Sequence, residues 1–464
     1  MKLVSSTIEA IDRNNLSLMG RMESPGMVFG IVSAGEMTFV KGYGVSRTSD
    51  PAAEVTADTT FRIASISKLF TAITVMRLVE QGKLELDDPI EKHLKSFRVR
   101  QFKATDPPIT IRHLLTHTSG LGEFAPLLGY LPPFTLFGVN LPRWPLPKLS
   151  RLYPIGLRPD RSPGEAWAYA NHGFATLGQI IADVMDEPFP NVVRKVIFDP
   201  LGMENSDFLR SDRVTADLAK GYKQIGESYW PVLDLDIITL ADGSLFTTAN
   251  DFGKFLGEIT LGGGTIISKA SLSQMMKPQY QLDNHLPAMG LGFFIENRKQ
   301  WRDQLVTGHT GLWLGFHSSV MIAPAHQVAT FAFVNDAQKT AFFAATNGMN
   351  QLLPKLDTAN PEPTPAVDRG KWPELVGTYQ LPWAFNSNFR IDMTFGRKFF
   401  VYLEDNKLKI RTRRGAWRKG VTLLPVPAKN KHVFNADGRY LVFHMDPAGK
   451  VDCLLMRFHK LFKL

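Results

Sequence analysis

The chain is poor in residues that could crosslink it or bind a metal. Its 464 residues include one cysteine, Cys453, so an intramolecular disulfide and a cysteine-rich metal site are both excluded. Apolar residues surround Cys453 in the run DCLLMRF, which favours a small buried side chain over a reactive thiol. The eleven histidines form no His-x-x-x-His pair with an adjacent acid, the pattern of zinc proteases. We therefore expect neither a metal nor another cofactor.

Long apolar runs are also missing from the sequence. No stretch approaches the roughly 20 apolar residues that span a bilayer, so no transmembrane segment is expected. The N-terminal MKLVSSTIEAIDRNN has a lysine but no apolar core behind it, which is not the pattern of a secretory signal. The sequence as written predicts a cytoplasmic protein, or a periplasmic or secreted one if a presequence has been removed.

Positive charge is concentrated at one end of the chain. From residue 370 onward there are 18 lysines and arginines against 7 acids, and before it there are 35 against 37. The net charge of +9 therefore divides into about +11 and about −2. A basic region of this size suits an acidic surface, a polyanion or a negatively charged subunit, and it also suits a simple solvated exterior. We expect no nucleic-acid partner.

A serine and a lysine lie three residues apart at a predicted helix start. The segment FRIASISKLFTAITVMRLVEQGKL (61–84) predicts a helix with Ser65 in its first turn and Lys68 one turn later. Positions i and i+3 lie on the same helix face, so the amine lies beside the hydroxyl. Such an amine can make a serine nucleophilic without an adjacent histidine. A lone Ser-x-x-Lys sequence is weak evidence, because it also occurs by chance.

Two further short motifs follow this pair along the chain. Tyr169-Ala170-Asn171 is the only Tyr-x-Asn sequence, and His309-Thr310-Gly311 is the only Lys/His-Thr/Ser-Gly sequence. With the unique Ser-x-x-Lys, they make the chain resemble the serine β-lactamase and penicillin-recognising superfamily. The resemblance is to the branch that holds class C β-lactamases, D-alanyl-D-alanine carboxypeptidases, D-aminopeptidases and family VIII carboxylesterases. It covers about residues 8 to 355, with further similar segments at 110–121, 163–184, 199–208 and 290–295.

The resemblance implies a role for each residue of the first two motifs. Ser65 would attack the substrate carbonyl, with Lys68 as its base. Tyr169 would pass a proton to the leaving group and help to activate the deacylating water. Asn171 would hold Lys68 and the substrate in place. His117, in the segment LTHTSGL, is expected to be structural.

The third motif is expected on an edge strand that binds the substrate. The resemblance makes the backbone NH of Leu312, next to Thr310 and Gly311, the second oxyanion donor. β-Lactamases and penicillin-binding enzymes of the superfamily usually carry lysine where this chain has His309. An unperturbed histidine, with a pKa of about 6.5, is mostly neutral at pH 7 and attracts a substrate carboxylate less strongly. The departure favours the esterase and amidase branches over efficient β-lactam turnover.

Three functions stay open at this point. The leading hypothesis is a metal-free serine hydrolase that cleaves a small-molecule ester, amide or peptide through an acyl-Ser65 intermediate. A true β-lactamase or D-alanyl-D-alanine carboxypeptidase is the enzymatic alternative. From a different class, the chain could be a ligand-binding or sensor protein with a vestigial hydrolase lobe, although the intact set of catalytic groups argues against it. No Gly-x-Ser-x-Gly elbow occurs, which excludes an α/β-hydrolase mechanism.

An α+β fold is predicted for residues 1–357. Residues 27–47 alternate as two strands around an Ala-Gly-Glu turn, and residues 312–323 and 327–336 form a second predicted hairpin. These strands should share one antiparallel sheet flanked by helices. The intervening residues are expected to form a mainly helical lobe, with the active site in the cleft between the lobe and the sheet.

Two segments depart from this core. Residues 123–160 are rich in proline and large apolar side chains without a regular period, and they closely precede Tyr169. They predict a lid or wall of the cleft, with a dimer contact or a membrane-surface anchor as alternatives. Residues 358–373 are predicted to be a proline-rich linker.

Residues 374–464 are predicted to form a small antiparallel β-barrel. Short alternating runs, among them 389–395 and 398–404, follow one another between turn residues. This part resembles the lipocalin-like domain appended to some hydrolases of the superfamily. The barrel or residues 123–160 could also mediate a homo-oligomer.

Overall fold

The chain forms an α+β body followed by a C-terminal antiparallel barrel. The computed structural model describes residues 5–123, 138–142, 144–296, 301, 304–354, 369–426 and 432–464. Within these ranges, no helix is both long and apolar enough to cross a membrane. The described residues up to 354 form the body, and those from 372 to 464 form the barrel.

A seven-stranded antiparallel sheet forms the centre of the body. Its strands are β1 (Gly26–Ser33), β2 (Glu36–Gly44), β3 (Ala288–Met289), β4 (Phe294–Glu296), β5 (Val306–Trp313), β6 (Phe316–Ala323) and β7 (Val328–Val334). Their order across the sheet is β2-β1-β7-β6-β5-β4-β3. β1 pairs with β7, and Met27 lies opposite Val334. The two ends of the body therefore meet in one sheet, as their alternating patterns predict.

Helices cover both faces of this sheet. The longer helices of the body are α1 (Ser5–Met22), α2 (Ser67–Glu80), α3 (Asn171–Met185), α4 (Ala249–Thr260) and α5 (Thr340–Leu352). Neighbouring residues of a strand point to opposite faces. Phe29 and Ile31 of β1 consequently join a core with α1 and α5, while Val28 and Val32 join the core of the helical lobe. All eight residues of β1 are buried as a result.

Short elements complete the body around α2 and α3. The short helices are Ile111–Leu115, Leu149–Leu152, Phe189–Val193, Asp199–Leu201, Asp212–Thr215 and Lys269–Met275. Three short strand pairs join Phe61–Arg62 to Phe246–Thr247, Val139–Asn140 to Asp236–Ile237, and Tyr222–Ile225 to Ser228–Pro231. This arrangement confirms the α+β fold with its mainly helical lobe.

The second predicted hairpin is present, because β6 pairs with β7 around Pro324–His326, but its first strand begins at Phe316 and residues 312–323 do not form a single strand. Leu312 and Trp313 end β5, and Trp313 pairs with Phe316 at the start of β6. Gly315 lies between them at a φ of +69°, a backbone conformation that favours glycine and reverses the chain. Alternating apolar residues continue through this turn, so the pattern alone does not reveal it.

Nine short strands form the barrel. They are β8 (Gly377–Gln380), β9 (Lys398–Glu404), β10 (Lys407–Thr412), β11 (Val421–Thr422), β12 (Leu424–Pro425), β13 (His432–Ala436), β14 (Arg439–Met445), β15 (Val451–Met456) and β16 (His459–Lys463). Their order is β11-β10-β9-β8-β16-β15-β14-β13-β12. Only Leu423 separates the two end strands along the chain, so the sheet curves back on itself and is nearly closed. The predicted antiparallel barrel is confirmed.

One predicted strand of the barrel is a helix instead. Residues 389–395 belong to α6 (Phe385–Phe395). Ile391 and Phe395, four residues apart, are buried in the barrel core, and the Phe395 ring lies 5.0 Å from that of Trp417. Met393, which a strand would bury with them, is 57% exposed. The alternation that predicted a strand is therefore incidental, because packing follows the helical spacing.

The barrel packs directly against the body. The ring of Trp167 stacks on Phe458 of the barrel with centroids 4.5 Å apart. Leu286 of the body is fully buried in a cluster with barrel residues that include Val433 and Cys453. Most of the predicted linker 358–373 lies outside the described residues. Trp372, near the end of the predicted linker, packs into the core of the barrel, so the barrel begins there.

Candidate active site

Ser65 lies in a tight turn two residues before α2 begins at Ser67, and not in the first turn of that helix as predicted. The turn is a 3-10 segment, Ala64–Ile66, and Ala64 has a φ of +48°, a region that residues other than glycine rarely adopt. The hydroxyl of Ser67 donates to the Ala64 carbonyl at 2.6 Å and accepts from the Leu245 amide at 3.0 Å. These bonds hold the backbone in the conformation that presents Ser65 to the cleft.

Lys68 is fully buried one turn after Ser65. Its Nζ lies 3.1 Å from Ser65 Oγ, 2.9 Å from Asn171 Oδ1 and 2.5 Å from the carbonyl oxygen of Asp242. A neutral amine has two N–H donors and one lone pair. Once the ammonium has given up one proton, its two remaining donors can go to Asn171 and Asp242, and the lone pair is left for the proton of Ser65. The geometry suits a base that activates this serine.

Tyr169 is positioned by His117 and by the start of α3. The backbone NH of Ala168 donates to the His117 carbonyl at 2.8 Å, and that of Ala170 donates to His117 Nδ1 at 3.1 Å. The rings of His117 and Tyr169 lie 4.5 Å apart. The Tyr169 ring centroid is 4.9 Å from Lys68 Nζ. His117 therefore has a structural role, because it fixes the backbone on both sides of Tyr169.

Strand β5 reaches the Ser65 turn because Gly311 has no side chain. A Cβ at this position would lie 2.2 Å from the Ile63 carbonyl oxygen and 2.4 Å from Ser318 Oγ. β5 is not at the sheet edge as expected, since it pairs with β4 through Val306–Gly308 and with β6 through Thr307–Trp313. Within the described residues, the β4 side is unpaired beyond Gly308, which leaves Leu312, 61% exposed, beside the cleft.

His309 is buried and neutral. Desolvation, followed by the charge of Lys68, lowers the pKa of His309 to about 3. Its Nδ1 lies 2.6 Å from the carbonyl oxygen of Thr310, so Nδ1 carries the proton. Nε2 is then an acceptor, and it has no hydrogen-bond partner among the described residues. The third motif therefore brings no positive charge to the site.

Three residues of the site were not predicted from the sequence. Asp242 holds Lys68 through its backbone carbonyl, and burial raises the pKa of its carboxyl despite the charge of Lys68. Glu123 accepts from Asn171 Nδ2 at 3.3 Å. Arg390, on α6 of the barrel, pairs with Glu123. None of the three belongs to a motif, and only Glu123 lies near one, two residues after the segment LTHTSGL that contains His117.

The cleft beside Ser65 is small and is formed by several parts of the chain. Its volume is about 140 Å³, below the roughly 300 to 1,000 Å³ of pockets for drug-sized ligands. Its lining includes Glu123, Gly138 and Val139 from the predicted insertion 123–160, whose residues 124–137 and 143 lie outside the described part. Such a volume admits a small acyl group.

One cluster of possible metal ligands occurs in the described part of the chain, and it lies in the barrel. It consists of His444, Asp452 and Cys453, whose ligand atoms lie within 4.8 Å of one another. Burial raises the pKa of the Cys453 thiol to about 12, so the thiolate that a metal requires is disfavoured. His444 and Asp452 already bind each other at 2.6 Å. The cluster supplies no argument for a metal.

Comparison with known proteins identifies the family. The protein-family model described as Beta-lactamase matches residues 16–352, which contain Ser65, Lys68, Tyr169 and the β5 motif. The chain belongs to the Beta-lactamase family. This confirms the resemblance to serine β-lactamases and penicillin-recognising proteins that the three motifs indicate.

Relatives of this Beta-lactamase-family protein include a peptidase and an esterase. D-alanyl-D-alanine-carboxypeptidase/endopeptidase AmpH of Escherichia coli (strain K12) is 24% identical over 353 residues, which are 74% of this chain and 87% of AmpH. Esterase EstB of Burkholderia gladioli is 32% identical over 192 residues, 40% of this chain and 48% of EstB. The family and these relatives are serine hydrolases.

A solved structure shares the whole architecture. The octameric penicillin-binding protein homologue from Pyrococcus abyssi is 24% identical, with a TM-score of 0.63. The similarity covers 98% of this chain and 100% of the homologue. Because it extends past residue 352, the likeness in fold includes the barrel as well as the Beta-lactamase body.

Proposed function

We propose that this protein is a metal-free serine hydrolase that cleaves an ester or amide bond through an acyl-Ser65 intermediate. The observation that carries the proposal is the 3.1 Å contact between Lys68 Nζ and Ser65 Oγ. Asn171 and Asp242 hold Lys68 in this position. The family and the order of the motifs support the same chemistry.

Acylation begins when Ser65 Oγ bonds to the substrate carbonyl carbon and its proton passes to the Lys68–Tyr169 pair. The backbone NH groups of Ser65 and Leu312 stabilise the resulting oxyanion. Collapse of the tetrahedral intermediate breaks the bond to the alcohol or amine, which leaves with a proton from the same pair. A water then attacks the acyl-serine and gives its proton to Lys68–Tyr169. The carboxylic acid departs and the Ser65 hydroxyl is restored.

The preferred substrates are small esters or amides rather than β-lactams. Neutral His309 lacks the fixed charge that would attract a β-lactam carboxylate at the end of β5. The small cleft limits the size of the acyl group. An esterase and a carboxypeptidase among the relatives are consistent with this choice. Homo-oligomerisation through the barrel or residues 123–160 stays a prediction that the octameric homologue supports.

Covalent labelling tests the nucleophile. A fluorophosphonate should modify Ser65, as located by intact-mass analysis and peptide mapping. The Ser65→Ala variant should lose the label and at least about a thousandfold in turnover of p-nitrophenyl esters. The exposed Ser6→Ala variant is the control and should behave like the wild type.

A substrate panel tests the bond that is cleaved. Short p-nitrophenyl esters and D-amino-acid p-nitroanilides should be turned over faster than nitrocefin. A label on another residue, or undiminished hydrolysis by Ser65→Ala, would contradict the acyl-Ser65 intermediate.

A further inference from the structure

The barrel contributes a cation to the cleft of the body. Arg390 on α6 lines the same cleft as Ser65 and Leu312. Its guanidinium carbon lies 4.3 Å from the Tyr169 ring centroid, the ring that Lys68 Nζ approaches at 4.9 Å. The Arg390 side chain remains 58% exposed, so a ligand entering the cleft can reach it.

Contacts between the barrel and the body hold this arginine in place. The amides of Asn386 and Ser387, in the first turn of α6, donate to Asp160 Oδ2 at 2.9 Å and 3.0 Å. In the same turn, Asn388 accepts from Arg161 at 3.0 Å. Arg390 lies three residues after Ser387, so it faces the same side of the helix. The docking of α6 therefore aims Arg390 at the cleft.

Glu123 occupies one edge of the guanidinium and leaves the other edge available. Nε of Arg390 donates to Glu123 Oε1, and Nη2 donates to Oε2 at 3.2 Å. A guanidinium has five N–H donors, so three remain, two of them on Nη1. Nη1 has no hydrogen-bond partner among the described residues. A planar carboxylate fits such an edge with two parallel hydrogen bonds.

The other positive or basic groups at the cleft cannot take this role. Lys68 is committed to Ser65, Asn171 and Asp242. His309 is 3% exposed, and its protonated Nδ1 is bound to the Thr310 carbonyl. His172, which also lines the cleft, is bound through Nδ1 to the Tyr153 hydroxyl, and burial lowers its pKa to about 4. Among the described lining residues, Arg390 is the remaining cation, and it has free donors.

We infer that Arg390 is a specificity-determining residue that binds a carboxylate of the substrate, so that the preferred substrate is an anionic ester or amide. The inference rests on the proposed function for its hydrolytic step. It differs from the expectation drawn from His309, because the positive charge reaches the cleft from the barrel rather than from strand β5. The small cleft requires the carboxylate to lie within a few bonds of the scissile carbonyl.

Matched ester pairs test this inference. Phenyl acetate is compared with 3-acetoxybenzoate, and p-nitrophenyl butyrate with mono-p-nitrophenyl glutarate. The Arg390→Gln variant should lower kcat/KM for the anionic member of at least one pair by roughly 10- to 100-fold, the scale of one hydrogen bond between charged groups. Any loss that comes from the contact of Arg390 with Tyr169 should be the same for both members of a pair, so the ratio of anionic to neutral kcat/KM is the readout. Arg390→Lys, which keeps the charge, should retain part of the anionic activity.

Arg397→Gln is the matched control. Arg397 belongs to the same domain, but its guanidinium pairs with Asp392 and lies over Trp383 instead of lining the cleft. It should leave every ratio of anionic to neutral turnover unchanged. Equal losses for both members of each pair in Arg390→Gln would show a purely structural arginine and would overturn the inference.

Equilibrium binding separates this inference from the proposed function. In the Ser65→Ala background, calorimetry should show tighter binding of the anionic ester than of its neutral partner. Adding Arg390→Gln should remove that difference. If Ser65 is not the nucleophile, Ser65→Ala still hydrolyses the neutral esters, while the effect of Arg390 on binding persists. Unchanged binding of both anionic esters after Arg390→Gln would refute the carboxylate site even in an active hydrolase.

Discussion

His309 occupies a position where a lysine would bring a second positive charge next to Lys68. The imidazole is 3% exposed, and the charge of Lys68 already disfavours its protonation. A lysine here would require a counter-ion, which a substrate carboxylate could supply. The neutral histidine avoids that requirement when the cleft is empty. With histidine at this position, β5 binds carboxylates more weakly, and the empty site is stable without a ligand.

The His309→Lys variant tests whether the neutral histidine weakens carboxylate binding and stabilises the empty site. We expect the ratio of nitrocefin turnover to neutral-ester turnover to rise, because the new ammonium attracts the β-lactam carboxylate. We also expect the free energy of unfolding to fall by about 3 kcal/mol or more, since a buried charge without a partner is costly. His309→Gln, which keeps the site neutral, is the control for loss of the imidazole. The measurements are steady-state kinetics and denaturant unfolding, and an unchanged ratio would contradict the electrostatic argument.

Individual residues of the site were predictable where their motifs are local. Ser65 and Lys68 are three residues apart across the 3-10 turn and the start of α2, so their spacing alone predicts their contact. The meeting of Lys68 with Asn171 follows from the family resemblance, because 103 residues separate them. No local pattern predicts Arg390, which lies in another domain and reaches Tyr169 only through the docking of α6. The positions of such residues depend on packing between distant segments, which cannot be inferred from a single sequence.

At the scale of elements, α6 depends on the body for its N-terminal cap. Its own N-cap residue, Ala384, offers no side-chain acceptor. Asp160, 226 residues away, accepts from the amide of Asn386 instead. A carboxylate at a helix N-terminus satisfies free NH groups and stabilises the positive end of the helix dipole. The segment 385–395 therefore lacks the start signal that would have predicted a helix.

The Asp160→Ala variant should loosen this helix. We expect unfolding free energy to decrease by about 1 kcal/mol, the usual cost of a lost cap. Hydrogen exchange measured by mass spectrometry should accelerate in peptides covering 385–395. Asp106→Ala is the control, because Asp106 accepts from Lys103 and Ser162 within the body. If exchange in 385–395 is the same in both variants, Asp160 is not the cap of α6.

At the scale of the whole molecule, several buried histidines make the fold sensitive to acid. They have pKa values below the ordinary value because burial penalises the charged ring, and they are His117, His172, His309 and His317. The values are about 4 for His172 and His317 and about 3 for His309. The unfolded chain therefore binds more protons than the folded one below about pH 6.5. The stability that these neutral rings provide is complete above that pH and is lost as the pH falls toward their folded pKa values.

Denaturant unfolding at a series of pH values should reveal this loss. Between pH 6.5 and about pH 4, each buried histidine should reduce the unfolding free energy by up to about 1.4 kcal/mol per pH unit. His317→Leu removes one titrating ring and should lower the slope by about one proton. A free energy that is independent of pH from 7.5 to 5 would show that these rings titrate normally.

The overall architecture was more predictable than the contacts between the body and the barrel. Strand patterns at both ends of the body predicted the shared sheet, in which β1 and β7 pair with each other and are buried on both faces. The barrel followed from its many short runs. The contact of Trp167 with Phe458 was not predictable, since one lies in the body and the other in the barrel and no sequence pattern links them. The hydrophobic pattern of a strand or helix specifies which of its faces is buried. It does not specify which other element covers that face.

The pairing of β1 with β7 also means that β1 is synthesised long before its partner strand. Ser33 at the end of β1 pairs with Val328, so about 300 residues must be made before that partner exists. At roughly 5 to 20 residues per second, β1 waits about 15 to 60 s on the ribosome. During this interval only the hairpin with β2 can satisfy one of its edges, and the face that packs on the later helix α4 stays uncovered. The nascent chain therefore passes through a period in which strand β1 depends on chaperones or on dilution to avoid aggregation.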